Sequence, residues 1–438
     1  MQRLLISLSS LVALTATVHA QTAPDAQPTT PPPDQAAGAP PATVDAPPPA
    51  PAPPPAAPSD PKKIGVGKET PGAFFTPGLN LQLQFVMDVQ KKLATATDAE
   101  TTNTTLSTFK VRRLEISGGG EIVPKVVKYR FMIDPARVRD TFTTVAALDS
   151  TGKPVVDAAG KAVTVRTFAT PISAVQDAYV TFQSEFADVV AGQFKTPIGW
   201  EGYQASSKII MAERSFLDNT EGGQRDIGVR IEKTFKPFSY VVGVVNGAGQ
   251  NNFDANNSKD AFARIEIFPI PGLTIAGATL DTVGYRTKAG TKDRWEGDLI
   301  YDNGPFHLQG EFIYNRDVIS DNAAYLNSQG GYVALAYKSP RLGTGSYSGE
   351  LQPVVRFGYF DPNVDLNVQP ARAGFTATPS AQVFPGTTDE RYDFEFGLNY
   401  YLRSHEAKIQ LSYDRQQFDD NKAKPAISEL IAMTQVWF

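Results

Sequence analysis

Apolar and polar residues alternate along most of the second half and much of the first half of the chain. In VKYRFMID, which begins at Val127, every second residue is apolar or aromatic, and Lys128, Arg130 and Asp134 lie between them. Successive side chains point to opposite faces of a strand, so this period predicts β-strands. Sixteen such segments are predicted, at residues 78–90, 106–118, 125–135, 173–184, 188–195, 226–234, 238–246, 260–268, 273–284, 292–301, 305–315, 330–338, 350–360, 391–401, 406–416 and 428–438.

The connections between these segments alternate between short and long. EFA, KPF, PIPG, DNG and RSHE are short turns, whereas 196–225, 247–259, 316–329 and 361–390 are long and polar. Barrels in an outer membrane have short periplasmic turns and long outward loops, and an even strand number closes the sheet without an edge in lipid. The pattern therefore predicts an all-β fold, a transmembrane antiparallel β-barrel of about 16 strands with long extracellular loops and short periplasmic turns.

The two ends of the chain differ from the middle. Residues 1–20 combine Arg3, an apolar core and VHA before Gln21, which predicts a signal peptide, with a membrane anchor as the alternative. Residues 21–72 are rich in proline and alanine and predict a disordered periplasmic tether, with a spacer or a ligand for a partner as the alternative. Residues 73–438 are predicted to form the barrel.

Composition narrows the chemistry. The 438-residue chain has a net charge of −5, no cysteine and three histidines. Disulfides and thiolate chemistry are excluded, and nothing points to a nucleic-acid partner. The histidines are far apart and the acids lack calcium-loop spacing, so neither a metal site nor a cofactor is expected.

Three stretches resemble a known family. FKVRRLEISGGGEIVPKVVKYRFMID resembles the double-arginine strand and the next strand of the phosphate-selective porin O and P family, and VQDAYVTFQSEFADVVAGQFKTPIGWEGYQASSKIIMAERSF resembles its central signature. The terminal IAMTQVWF, ending in Phe438, resembles the assembly signal of bacterial outer-membrane barrels. The resemblance, best over 109–268, implies a bacterial outer-membrane porin. It also implies a homotrimer, surrounded by membrane lipid and lipopolysaccharide, that passes small phosphate-like anions through a basic lumen.

The long loop 196–225 is predicted to fold into the barrel and narrow it, because it contains Trp200, Tyr203 and the apolar IIM. The alternatives are a structured external loop and a trimer contact. Basic side chains on the lumen face lower the barrier for anions, and arginine suits phosphate because its fork donates two hydrogen bonds. The predicted anion-binding or pore-lining residues are Lys110, Arg112, Arg113, Lys128, Arg130, Lys195, Lys208, Arg214, Arg225, Arg230 and Arg264.

Arg112 and Arg113 interrupt the alternation of their strand. Phe109 belongs to the apolar face before the pair, and Leu114 belongs to it afterwards, so the phase shifts by one residue. A one-residue β-bulge would cause this shift and turn both arginines toward the lumen. The alternative places Arg113 at the membrane rim.

The predicted function is passive diffusion of small anions, phosphate or polyphosphate among them, through a water-filled outer-membrane channel. The later strands point acids inward, which leaves open a general, weakly selective diffusion porin. A protease-type or lipase-type barrel enzyme is a remote alternative, since His307 and Glu311 share a face but lack a serine motif. A closed structural barrel or adhesin is a further alternative. The inward acids are Glu296, Asp298, Glu311, Asp393, Glu395 and Asp414.

Overall fold

The fold is taken from a computed structural model. It describes residues 64–65, 73–91, 103–137, 142–146, 164–168, 174–254, 257–283, 291–320, 324–364, 390–419 and 426–438. The predicted signal peptide and most of the predicted tether lie outside these residues. Sixteen long strands are β1 (Phe74–Lys91), β2 (Asn103–Val123), β3 (Val127–Ile133), β4 (Val175–Phe182), β5 (Asp188–Lys195), β6 (Arg225–Thr234), β7 (Phe238–Val245), β8 (Lys259–Ile267), β9 (Leu273–Val283), β10 (Lys292–Asn303), β11 (Phe306–Ser320), β12 (Ala324–Tyr337), β13 (Glu350–Asp361), β14 (Arg391–Arg403), β15 (Ala407–Phe418) and β16 (Ile427–Trp437).

The sixteen strands form a closed antiparallel barrel. Each pairs with its neighbours in the chain, and β16 pairs with β1 from Trp437 opposite Asn80 to Ile427 opposite Gln90. All sixteen predicted strand segments are therefore confirmed, although their ends differ from those of the strands by up to six residues, at the start of β12. Two short pieces lie outside the barrel wall: Ile64–Gly65 pairs with the start of β1, and Phe142–Ala146 pairs with Thr164–Phe168 in the β3–β4 connection.

Helices are few and short. α1 (Trp200–Tyr203) and α2 (Phe216–Thr220) lie in the loop between β5 and β6, and a 3₁₀ turn (Gly345–Tyr347) lies between β12 and β13. No helix in the described part of the chain has the length and apolar character needed to cross a bilayer.

The barrel is apolar outside and polar inside. Phe109 and Phe396 point outward and are 84% and 57% exposed, whereas Gln82, Asn399 and Gln410 point inward and are completely buried. A soluble fold would bury the first group and expose the second. The reversal is what a bilayer requires, because lipid solvates the apolar face and the backbone polar groups are all paired within the closed sheet.

The bulge predicted at the arginine pair is confirmed. Gln82 of β1 faces Arg113, but the next residue, Leu83, faces Val111, so Arg112 is the extra residue on β2. Arg113 is 1% exposed and lies inside the barrel, which excludes its placement at the membrane rim. Both arginines point inward because the bulge lets the side chains of two consecutive residues point to the same face of the strand.

The loop between β5 and β6, called L3 here (196–224), folds into the barrel as predicted. Ile209 and Met211 at its centre are 2% and 0% exposed. Two glycines on the opposite wall leave room for it. A Cβ at Gly397 would lie 2.7 Å from the sulfur of Met211, and one at Gly330 would lie 2.9 Å from a methyl of Leu217.

Candidate functional site: the basic chamber beside L3

L3 is attached to the near wall, β1–β6, through the arginine pair. Arg112 forms a two-point ion pair with Glu213 of L3, at 2.6 Å and 3.0 Å. Arg113 donates to Gln82 at 2.6 Å, and its Nε lies 3.8 Å from Glu115. Burial raises the pKa of Glu213, but the positive charge and hydrogen bonds of Arg112 outweigh burial and lower it to about 2. The bulge therefore has two consequences: Arg112 holds the loop, and Arg113 lines the space beside it.

L3 is attached to the far wall, β8–β15, through a second arginine. Arg356 of β13 contacts Glu395 of β14 through two 2.6 Å contacts, and it contacts Glu201 of L3 at 2.9 Å. It also donates to the carbonyl of Glu213 at 3.2 Å. Arg356 is therefore buried with its charge compensated, as a buried ion requires.

Carboxyl groups crowd the far end of L3. Asp218 of α2 accepts a hydrogen bond from the amide of Gly202 at 2.8 Å, and Glu311 of β11 accepts one from the amide of Trp200 at 3.0 Å. Asp218 and Glu311 lie close enough to share a proton. Burial, and then repulsion from Glu201, raises the pKa of Asp218 to about 6. A shared proton relieves the repulsion between these buried acids. In the described residues no group of three acids or histidines is arranged to hold a metal ion.

A cavity of about 700 Å³ lies between L3 and the near wall. It reaches from Lys195 and Arg225 at the outer ends of β5 and β6 to Gly120 near the periplasmic end of β2. Its lining contains eight basic and only two acidic side chains. We call this cavity the basic chamber. Its charged lining residues are Arg113, Arg130, Arg137, Lys195, Lys208, Arg214, Arg225 and Arg230, with the acids Glu115 and Asp177.

Three chamber cations have no direct ion pair within the part of the chain that the structure describes. Lys195 donates to the L3 carbonyls of Gly202 and Gln204, at 2.7 Å and 2.6 Å. Arg214 donates to the L3 carbonyls of Glu201 and Gln204, at 2.7 Å and 3.1 Å. The ammonium group of Lys208 is exposed to the chamber and has no hydrogen-bond or ion-pair partner among the described residues. Backbone carbonyls position these groups but cancel no charge, so the chamber keeps a positive potential.

The other predicted chamber residues have acidic partners. Arg130 and Arg225 share Asp177, at 3.2 Å and 2.8 Å, so the three carry one net positive charge. Arg230 lies 2.8 Å from Glu232, and its guanidinium lies 4.6 Å from the ring centre of Phe194, a cation–π distance.

The remaining predicted residues lie outside the chamber. Lys128 lines a smaller cavity of about 300 Å³ that shares Phe74, Gly120 and Arg130 with the chamber. Lys110 and Arg112 line an outward cavity of about 350 Å³, whose lining also includes Arg214. Arg214 thus borders both spaces.

Arg264 points inward but is not open to a solute. Its guanidinium contacts Glu266, Glu296 and Asp298, at 2.9 Å, 3.2 Å and 2.8 Å, and it is 1% exposed. Arg264 therefore supports the far wall through its carboxylates, which alternation alone could not reveal.

Sequence reasoning missed three basic groups at the site. Arg137 lines the chamber just after β3 ends, where alternation no longer indicates which side chains point into the barrel. Lys408 is 1% exposed and donates to the L3 carbonyl of Ile209 at 2.9 Å, and Arg356 anchors L3. Alternation does place Lys408 and Arg356 inside, so the signal was present, but nothing local in the sequence indicates their contacts with L3.

The two histidines described by the structure are both engaged. His307 contacts Asp302 at 2.7 Å and Gln309 at 3.0 Å through its two ring nitrogens. His405, in the turn between β14 and β15, lies 3.1 Å from the L3 carbonyl of Ser207. Burial and then the charge of Lys408 lower the pKa of His405 to about 4. These contacts give both histidines structural partners.

A closed barrel of sixteen strands, polar inside and crossed by an outer loop, is the architecture of an outer-membrane porin. The chain belongs to the phosphate-selective porin O and P family, whose pattern it matches over residues 79–284 and 273–437. The fold and the location in the bacterial outer membrane follow from that membership. No curated protein sequence matches the chain.

Solved structures with a similar fold are outer-membrane proteins at low identity. OmpF of Salmonella typhi, in complex with daunomycin, has a TM-score of 0.51 and 11% identity, over 86% of this chain and 100% of that one. The outer membrane channel DcaP of Acinetobacter baumannii has a TM-score of 0.50 and 12% identity, over 86% and 100%. OprB of Pseudomonas putida has a TM-score of 0.50 and 11% identity, over 83% and 94%. These similarities support the fold alone.

Proposed function

We propose that this porin is a passive channel for small anions of the phosphate class, and that the basic chamber is where it favours them. The supporting observation is the excess of eight basic over two acidic side chains around one cavity of about 700 Å³. Low-dielectric walls focus the field of such groups and raise the local anion concentration. Arginine and lysine in succession offer several weak sites, which permit passage better than one tight site.

The proposed route follows the shared lining residues. An anion enters the outward cavity at Lys110 and Arg112, passes Arg214, which borders both spaces, and reaches the basic chamber. It leaves toward the periplasm past Arg130 and Lys128. Polyphosphate would occupy several of these positions together, whereas phosphate would occupy one at a time.

A general diffusion porin is the second candidate, and the charges of the other outward cavity favour it. This space of about 530 Å³ is lined by Asp226, Asp260, Glu221 and Asp317, against Arg225, Lys292 and Arg294. A solute that passed through this cavity would meet slightly more acidic than basic side chains. Passage through this cavity as well as through the basic chamber would weaken the net preference for anions.

Single-channel recording in planar bilayers distinguishes the two candidates. Phosphate selectivity predicts a reversal potential on the anion side in a potassium chloride gradient. It also predicts chloride current that falls as phosphate is added, because phosphate occupies the chamber. Ohmic current without phosphate block would leave only general diffusion, and a folded protein without current would contradict the channel itself.

We also propose a homotrimer whose contact surface is the outside of β3–β5. β3 has seven residues and β4 and β5 have eight each, whereas β11 has fifteen. At about 3.3 Å per residue and a tilt of about 40°, the short strands rise only about 18–20 Å, against an apolar band of about 25 Å. Neighbouring copies would cover this low wall. Crosslinking between cysteines placed on β4 tests it, and a protein that stays monomeric in mild detergent would contradict it.

A further inference from the structure

Two arginines occupy equivalent places on the outer surface of the barrel. β11 and β15 both run from the periplasmic side outward, and each has an outward tyrosine followed two residues later by an arginine, Tyr314 before Arg316 and Tyr413 before Arg415. Aromatic side chains mark the membrane interface of such barrels. Both arginines therefore lie just outside the apolar band, on the extracellular side.

The partners of these two arginines differ. Arg316 faces Asp293 of β10 and contacts its carboxylate at 3.0 Å and 2.6 Å, and its guanidinium lies 5.9 Å from the ring centre of Trp295. Arg415 instead faces Ser428 of β16 and donates to its hydroxyl at 2.7 Å. Among the described residues Arg415 has no carboxylate partner.

The groups around Arg415 form a small set of donors. The Tyr413 hydroxyl donates to the same Ser428 oxygen at 3.2 Å, so the hydroxyls of Tyr413 and Ser428 and the guanidinium of Arg415 converge at one point on the outer face. Phe394 lies opposite Arg415 on the other side and is 40% exposed, which gives the site an apolar floor toward the bilayer.

We infer that Arg415, with Ser428 and Tyr413, binds a phosphate group of lipid A in the outer leaflet. A guanidinium on the lipid-facing surface costs little only at the interface, where an anion can pair with it. A phosphate matches both parallel N–H donors of arginine and accepts further bonds from hydroxyls. The acyl chains of the same lipid would lie along the apolar surface below, at Phe394 and Leu411.

The test measures the binding of diphosphoryl lipid A to the full-length folded protein in detergent, by native mass spectrometry and by the shift of the unfolding temperature. Arg415→Gln is expected to weaken the apparent Kd about tenfold, the loss of one charge-assisted contact. Arg316→Gln, the matched control with an internal acidic partner, is expected to leave binding unchanged. Dephosphorylated lipid A is expected to give no shift with any variant.

Two further variants keep the test decisive if Arg415→Gln folds poorly. Arg415→Lys keeps the charge but loses the planar fork, and Ser428→Ala removes the shared hydroxyl, so each is expected to lose part of the affinity. Three results would overturn the assignment. They are wild-type affinity in Arg415→Gln, stronger binding of phosphatidylglycerol than of lipid A, and a loss of subunit association without a change in lipid affinity. The last result would assign Arg415 to an acid on a second copy.

Discussion

The far wall and the basic chamber differ in how their basic side chains are partnered. On the far wall Arg264 and Arg356 are 1% and 3% exposed and are each enclosed by two or three carboxylates. At the basic chamber, Lys195 of β5 and Arg214 of L3 are held by backbone carbonyls, and Lys208 of L3 projects into the chamber. An inward-facing cation therefore contributes to the pore field only where its hydrogen-bond partners are neutral. Counting inward charges does not distinguish these cases.

The largest effect is expected from pH, because the pKa values of two carboxyl groups of L3, Glu213 and Asp218, are shifted in opposite directions. The pKa of Glu213, lowered to about 2, makes its ion pair stabilising above about pH 4.5 and lost as the pH falls toward 2. The pKa of Asp218, raised to about 6, makes its contribution complete below about pH 4 and lost as the pH rises through 6. The shift of Glu213 is worth about 3 kcal/mol of stability.

Asp218→Asn should therefore remove the loss of stability between about pH 4 and 6, and leave the loss at lower pH unchanged. The side-chain amide of the asparagine keeps an oxygen that can accept the hydrogen bond from Gly202, so the substitution preserves the local geometry. Thermal unfolding and spontaneous channel closures, measured from pH 3 to 8, check this. A wild-type pH profile in the variant would mean that the stability does not depend on the proton of Asp218.

Glu213→Gln should release the near anchor at neutral pH. Breaking its ion pair with Arg112 is expected to lower the free energy of unfolding by about 2 kcal/mol, and to increase current noise as L3 moves. Glu221→Gln is the matched control, because Glu221 of L3 contacts Arg294, 3.2 Å away, on the other side of the loop. Equal noise in both variants would contradict a special role for the double-arginine strand.

Lys208→Glu should shift the reversal potential strongly toward cations. The exchange changes two charges at a side chain that no described residue neutralises, which is worth about 1 kcal/mol, or about fivefold in the permeability ratio. Lys292→Glu makes the same exchange in the acid-lined cavity on the other side of L3. If both variants shift the potential equally, anions do not prefer the basic chamber.

Arg130→Gln should have the smallest effect. It removes one charge, and Asp177 keeps Arg225 as its partner at 2.8 Å. The shift of the reversal potential is expected to stay below half of that caused by Lys208→Glu. A larger shift would mean that Arg130, whose side chain is 42% exposed, contacts the solute directly.

Much of this architecture could be predicted because it depends on local pattern. A period of two predicts which residues face the lumen, and the change of phase at Arg112 indicates the bulge without knowledge of any contact. The partners could not be predicted, because they come from distant parts of the chain. Arg112 and Glu213 are 101 residues apart, and Arg356 and Glu201 are 155 apart.

The space for L3 was equally hidden in the sequence. Gly397 interrupts an otherwise regular strand, and only the nearby sulfur of Met211 explains why a side chain is absent there. Arg264 was predicted to line the pore because alternation correctly places its side chain on the inner face of the barrel. Its three carboxylates come from β8 and β10, and alternation carries no information on which inward groups meet.

The pairing of β16 with β1 sets an order for folding. The amide of Leu79 donates to the carbonyl of Phe438 at 3.1 Å, and Gln82 donates to Gln435 across 353 residues of sequence. This seam can form only after both β1 and β16 have been synthesised and exported, so the open edge of β1 is unpaired until β16 is in place. L3 contacts residues on both sides of the seam, Gln82 and Gln435 among them. The loop is therefore in position to act as a template that brings the two edges together before the barrel closes.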